Sequence, residues 1–384
     1  MPVDDLESAG SPYPDAALDL SAGDPADGLA GLPFPASLLA DRWRLARWCA
    51  LAVYVGLFVY QYVHGMPWTT KGLPLEREQF IGWMAVGAAV WSLGRDRKEV
   101  VLAIGGFGAL AVCFAVYDYT RGAIDNVWGH PTFVPQTPVS APVQAVHNAK
   151  RIITAEKALF FGHMPTEWLQ EHLYLPSNQH PPKWEVFTGL TYLTHFFMVY
   201  LIALFMWFRN KQRWLHWVRS LVTLITLGVT GYLLFPAAPP WMAAKFNLMQ
   251  VTARPGTRAL KYVHLHFADR LWNKGQGLVN LVAAMPSLHM GFTVLVAVFF
   301  WRDAKPWLRV VLVAYPSLML FTLVYGGEHY VLDCLVGGLL AWLAVWINRW
   351  YVAWREQGSL RKTATAGEFP GELPAGAAFH DAEV

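Results

Sequence analysis

The sequence predicts an all-α fold, a polytopic transmembrane helix bundle of about eight spans. Three observations carry that prediction. Hydrophobic residues make up 55% of the 384 residues, with 19 Trp and 22 Phe, more than a soluble domain usually carries. They gather in long runs, which suits an integral membrane protein better than one with a large soluble core. The basic residues cluster between the runs. The net charge of +3 is too small to imply nucleic acid, and no nucleic-acid partner is expected.

Residues 1–40 are rich in Asp, Ala, Gly and Pro and show no periodicity. They cannot bury enough apolar surface to offset the entropy of ordering, so a disordered tail is expected. No basic stretch followed by an apolar core marks a cleavable signal peptide. Transmembrane helices are expected across 41–118, at roughly 45–64, 79–94 and 100–118. The run 79–94 is the weakest, and pairs with 100–118 as a hairpin across the charged turn Arg95–Glu99. The segment 119–183 is long for a loop. Its stretches Ala145–Phe161 and Pro165–Tyr174 mix Trp168, Leu169, Leu173 and Tyr174 with charge, as helices in the interface or capping a bundle do. An ordered loop without chemistry fits equally well. The core, 184–355, holds runs at 184–207, 217–235, 286–301, 308–325 and 329–348. Residues 356–384 read as a second disordered tail. Cys49, Cys113 and Cys334 lie in three different apolar runs, without zinc or disulfide spacing, and are expected to be small buried hydrophobes.

Basic clusters lie at Arg42–Arg47, Arg95–Lys98, Arg209–Arg219, Arg302–Arg309 and Arg349–Lys362. With eight spans all five fall on one side, which the bias of positive charge makes the cytoplasm. Both termini are then cytoplasmic in a multi-pass cell-membrane protein. Loop 236–285 and the turn Tyr325–Glu328 face the extracytoplasmic side.

That side is where the chemistry concentrates. His289 and His329 each sit where a polar turn meets an apolar run, and Asp333 follows His329 at i+4, on the same helical face. Pro286 suits the first turn of the helix carrying His289. The N–H groups around Ser287 then form an anion cradle with the helix dipole behind it. A lone histidine at a membrane helix end is more often structural than catalytic. Two histidines beginning spans on one side, one with a carboxylate a turn away, point instead to phosphoryl transfer. His195, inside run 184–207, either lines the cavity or bonds a neighbouring helix.

Attack on a lipid phosphate needs a nucleophile, a proton for the leaving oxygen and compensation of charge on the equatorial oxygens. His329 suits the nucleophile, Asp333 the group that fixes its tautomer, and His289 the general acid and later base. Loop 236–285 supplies Lys245, Arg254, Arg258, Lys261, Arg270 and Lys274. Lys245 and Arg254 are favoured as phosphate ligands, although attraction to anionic headgroups also explains such an excess. Phe235–Trp241 ends its helix with three prolines and turns the chain at the membrane surface.

At these residues the chain resembles the type 2 phosphatidic acid phosphatase superfamily. Pro286-Ser287-Leu288-His289 is similar to that superfamily's Pro-Ser-Gly-His segment, with leucine for glycine. His329 and Asp333 are similar to the end of its Ser-Arg–five residues–His–three residues–Asp motif, with Thr322 and Leu323 in place of Ser-Arg. Its Lys–six residues–Arg-Pro segment survives only as Lys245 with Arg254-Pro255, with eight residues between instead of six. Phe235–Trp241, Pro286–His289 and His329–Asp333 together resemble the inositol phosphorylceramide synthase branch, which transfers inositol phosphate between lipids. The resemblance covers roughly 184–348. It implies a six-helix core, a phosphohistidine at His329 and no metal or other cofactor. Arg254 or Arg258 is expected to replace the missing motif arginine.

The expected activity is therefore that of a lipid phosphatase or phosphotransferase acting on a membrane lipid phosphate. Water resolves the intermediate in the first case and an alcohol or lipid acceptor in the second. Two rival readings are a metal-dependent membrane hydrolase, since His and Asp at i, i+4 also suit a metal, and a non-catalytic lipid-binding or transport bundle.

Overall fold

The computed structural model describes residues 35–66, 77–127, 131–133, 140–175, 180–195, 197–250, 252–264 and 282–365. Of the expected tails, 1–40 and 356–384, the parts 1–34 and 366–384 lie outside these residues, as do Arg270 and Lys274, whereas 35–40 and 356–365 are helical. Among the described residues the architecture is helical apart from one two-stranded antiparallel pair, Pro131–Phe133 with Ser140–Pro142.

The chain divides into two compact units. One comprises 1–73 and 85–105. It holds α1 (Pro35–His64), the latter half of α2 (Arg77–Ser92) and the start of α3 (Arg97–Val127). Arg47 donates from Nε to the Leu93 carbonyl at 2.9 Å, tying α1 to the turn after α2. Asp96 Oδ1 accepts the Lys98 N–H at 3.0 Å and so caps α3. Cys49 is exposed rather than buried, because most of the apolar surface of α1 faces outward.

The second unit, 74–84 and 106–384, contains α4 (Val143–Leu159), α5 (Pro165–Leu173), α6 (Lys183–Thr194), α7 (Met198–Arg209) and α8 (Lys211–Leu234). The short α9 (Pro240–Lys245) and α10 (Pro255–Tyr262) follow, then α11 (Leu288–Phe300), α12 (Pro306–Tyr325) and α13 (Val331–Thr365). Every predicted run is helical. Among the described residues five helices are long and apolar enough to cross a membrane, in α1, α3, α8, α12 and α13. The protein is thus a multi-pass membrane protein.

The predicted run 184–207 is two helices, α6 and α7, bent by 54°. At the bend Thr194 Oγ1 donates to the Thr191 carbonyl at 2.6 Å and the His195 ring meets the Tyr192 carbonyl at 3.3 Å. Side chains that bond nearby carbonyls compete with the helical ladder there. α13 runs ten residues into the segment expected to be a tail.

In lipid, apolar helices gain little from hiding apolar surface, so close contact and interhelical hydrogen bonds hold them. α11 packs against α13, α12 and α8. A Cβ on Gly337 of α13 would run into the Ser287 carbonyl, so only glycine lets α13 come this close to the start of α11. On the other side of the core, Trp217 donates to the Val199 carbonyl at 3.0 Å and joins α8 to α7. A packed cluster of Tyr192, Leu193, Leu260, Met319, Leu323 and Cys334 adjoins His289 through the Tyr192 ring.

Candidate active site

Two short segments set the floor of the site. In Phe235–Trp241, prolines end α8. Ala237 then pairs with the stretch before α11, accepting the Ala284 N–H at 3.2 Å and donating to the Val282 carbonyl at 2.9 Å. Tyr330 donates from its hydroxyl to the Ala238 carbonyl at 3.1 Å, and Trp241 donates its N–H to the Gly327 carbonyl at 3.0 Å. The proline segment, the start of α11 and the start of α13 are thereby one frame.

That frame brings the two predicted histidines together. His289 Nδ1 and His329 Nε2 are 3.1 Å apart. The other nitrogen of His329, Nδ1, lies 2.9 Å from the Ala284 carbonyl oxygen. A carbonyl only accepts, so Nδ1 of His329 carries a proton, and in a neutral ring Nε2 presents the lone pair. Asp333 was expected to fix this tautomer. Its Oδ2 is 3.5 Å from Nδ1, too long for a good hydrogen bond, and accepts the Tyr330 N–H at 3.0 Å instead. The carbonyl orients the ring, and the buried carboxylate acts on it through charge.

His195 is drawn in as well, its ring centroid 4.0 Å from that of His289. The bend between α6 and α7 puts it there.

Pro286 stands one residue before the N-cap rather than in the first turn, because α11 starts at Leu288. Ser287 is the cap. Its Oγ accepts the Met290 N–H at 3.3 Å, and its own N–H donates to the Asp333 carbonyl at 2.9 Å. The expected N–H cradle therefore loses this member to the junction of α11 and α13, and Ser287 is fully buried.

The predicted basic ligands are all engaged. Arg254 places Nε and an Nη on the two carboxylate oxygens of Glu328, at 2.7 and 2.8 Å, with its guanidinium over the Trp241 ring. Lys245 lies over the same ring, 5.0 Å from its centroid. Arg258 meets both oxygens of Glu185, at 3.0 and 2.9 Å, and the Leu175 carbonyl. Glu185 also accepts the Tyr325 hydroxyl at 2.7 Å. Arg254 is thus linked to the residue immediately before His329, whereas Arg258 is built into the wall between α6 and α12.

Three acids were missed by sequence reasoning: Glu328, Glu185 and Glu156. Glu156 comes from α4, in the segment read as loop or cap. It is fully buried, and its Oε1 accepts the Leu332 N–H at 2.9 Å, at the start of α13. Burial pushes its carboxyl up to about 7. The Leu332 N–H opposes that rise and nearby Asp333 adds to it. Glu156 Oε2 and Asp333 Oδ1 accept no hydrogen bond among the described residues. A sequence signal existed, since Ala145, Ala149, Ile152 and Glu156 share one buried helical face. An acid on such a stripe is rarely incidental. Gln170 of α5 clamps Ala253 to the Tyr325 carbonyl, so α5 also holds the arginine segment.

No cluster of three or more His, Cys, Asp or Glu able to hold a metal occurs among the described residues.

A helical, multi-pass membrane protein with two facing histidines, a buried carboxylate and paired arginines at one end of its core belongs to the class of integral membrane proteins with a polar site at a bundle end. The sequence profile of the PAP2 superfamily matches residues 150–347, about half of the chain, and the protein belongs to that superfamily. It is 27% identical over 169 residues to a phosphoinositol dihydroceramide synthase of Bacteroides thetaiotaomicron, covering 41% of this chain and 54% of that one. It is also 27% identical over 122 residues to the inositol phosphorylceramide synthase catalytic subunit AUR1 of Saccharomyces cerevisiae, covering 30% and 29%. The chain spans about half or less of the length of these curated relatives. No solved structure matches it significantly.

Proposed function

We propose that the protein is a membrane lipid phosphatase or phosphotransferase that works through a phosphohistidine at His329. Membership of the PAP2 superfamily supports the class. The observation that carries the mechanism is the placement of the His329 ring, with Nδ1 on the Ala284 carbonyl and Nε2 turned to His289.

Nε2 attacks phosphorus and the P–O bond to the leaving alcohol breaks. His289, protonated, gives its proton to that oxygen. At 3.1 Å the two rings leave no room for a phosphoryl group, so substrate entry separates them. Asp333 stabilises the positive charge that grows on the His329 ring. Arg254 binds the equatorial oxygens, its fork passing from Glu328 to the phosphate, since both are planar or near-planar oxygen pairs that a guanidinium fits. Lys245, beside it on Trp241, adds charge. Arg258 contributes by holding the α6–α12 wall. His289 next takes a proton from the acceptor hydroxyl, which attacks the phosphohistidine and restores the enzyme. The two relatives carry the names of inositol-phosphate ceramide synthases, which supports transfer of inositol phosphate over hydrolysis. The site faces the extracytoplasmic side. Arg209, Arg213 and Arg309 lie in terminal turns of α7, α8 and α12, and Arg302 follows α11, at the end away from the histidines, in keeping with the positive charge of cytoplasmic ends.

The test uses purified protein in detergent with a panel of lipid phosphates and inositol lipids, following phosphate release and lipid product masses. His329→Ala should abolish both the products and an acid-labile phospho-enzyme, a loss of at least about a thousandfold. A labelled intermediate that survives in this variant overturns the assignment. Free phosphate means hydrolysis. A new phospholipid formed only with an added acceptor means transfer.

A further inference from the structure

At the other end of the core, two arginines lack what Arg254 and Arg258 have. Arg302 follows α11, and Arg349 lies on α13 sixteen residues past Asp333, about 24 Å away along the helix. Neither forms an ion pair with a carboxylate among the described residues. The acid next to Arg302 in sequence, Asp303, is taken by Arg213 at 2.6 Å. The two arginines line one groove, of about 470 Å³, together with Val298, Trp342, Trp346 and Trp350.

The three tryptophans are spaced i, i+4, i+8 and form one stripe on α13. Each is exposed by half or more, at 51%, 51% and 58%. Tryptophan usually marks the headgroup level of a membrane. Trp350 fits that level beside Arg349, but Trp342 lies about 12 Å deeper by helical rise. The stripe therefore gives the groove an apolar wall that continues from the arginines toward the middle of the bundle.

We propose that this groove binds one anionic glycerophospholipid, its phosphate between Arg302 and Arg349 and an acyl chain along Trp346 and Trp342. Charge selects the occupant. Two guanidinium groups without carboxylates call for an anion, and the deep indole wall calls for a chain attached to it. A free phosphate would use the arginines and leave the wall unused. The site is separate from His329 and does not depend on the reaction there.

The experiment is native mass spectrometry of the full chain, released from mixed micelles of phosphatidylglycerol and phosphatidylcholine with identical chains. The wild type should retain the anionic lipid preferentially. Arg302→Gln with Arg349→Gln should lower that preference by about fivefold for each arginine removed. Arg302→Lys with Arg349→Lys should keep part of it, since charge remains but the fork is lost. Trp346→Ala should weaken retention of both lipids, and chainless glycerol phosphate should not compete. Retention unchanged in the double glutamine variant overturns the proposal. So does competition by glycerol phosphate at the concentration of the lipid, which would make the groove a site for small anions.

Discussion

Arg254 and Arg258 stand at one end of the core and Arg302 and Arg349 at the other, and their partners differ. The first two are each forked onto a buried carboxylate, Glu328 and Glu185. The second two face a groove with none. A paired arginine near a reaction centre is rigid and pre-aimed, and its charge is held in reserve until another anion displaces its partner. An unpaired arginine at a membrane surface is available to any lipid that passes. The two ends of the bundle thus hold the same side chain in two states, one forked onto a carboxylate and one facing a groove.

The largest effect expected from breaking this contrast is at Arg254. Arg254→Ala leaves Glu328, 8% exposed, without its cation. The cost should be about 3 kcal/mol, at the low end for a buried pair because Arg254 itself is 24% exposed. Thermal unfolding should show the loss, and Arg254→Ala with Glu328→Gln should recover most of the stability but not the turnover. Recovery of turnover as well would make the pair purely structural.

Glu156 sharpens the contrast from another direction, as a buried acid with no arginine. Its carboxyl is held up to about 7 in the folded protein against an ordinary value of 4.5. The folded state therefore binds this proton more tightly than the unfolded chain does. Its favourable contribution is complete below about pH 4.5, declines as pH rises, and is lost above about pH 7. The difference amounts to about 3 kcal/mol. Glu156→Gln keeps an oxygen for the Leu332 N–H and cannot ionise. Stability measured from pH 5 to 8 should fall in the wild type and stay flatter in the variant. Parallel curves would remove Glu156 from the account.

A smaller effect is expected at the junction on which the histidine pair depends. Gly337→Ala drives a methyl group into the Ser287 carbonyl and should cost about 1–3 kcal/mol, as overpacking does. Turnover should fall more than stability, because the shift moves His289 relative to His329. The smallest effect should be at the far end. Arg302→Gln and Arg349→Gln in neutral detergent should change stability by no more than about 0.5 kcal/mol, with turnover unchanged. A large destabilisation there would reveal a partner for these arginines within the fold.

Much of this was present in the chain before folding. Long apolar runs separated by basic clusters specify membrane helices, because an unpaired backbone group cannot be left in lipid. His289, His329 and Asp333 were legible because each sits where a polar turn enters an apolar run. Arg254 was legible as a cation before a proline in a loop rich in basic residues.

Its counter-ion was not. Glu328 looks like an ordinary turn acid until the loop carrying Arg254 folds back 74 residues to meet it. Nor was the orienting group of His329 legible. It is the main-chain carbonyl of Ala284, which no side chain announces, and it is placed by a bridge to the proline segment. The orientation of the His329 ring, the ownership of Ser287's N–H, the entry of His195 and the burial of Glu156 were likewise decided only by tertiary structure. The physical reason is common to all of them. Local sequence fixes which helices form and which residues begin them. Hydrogen-bond partners distant in sequence are chosen by packing, and in lipid that packing is set by where a glycine lets two backbones touch.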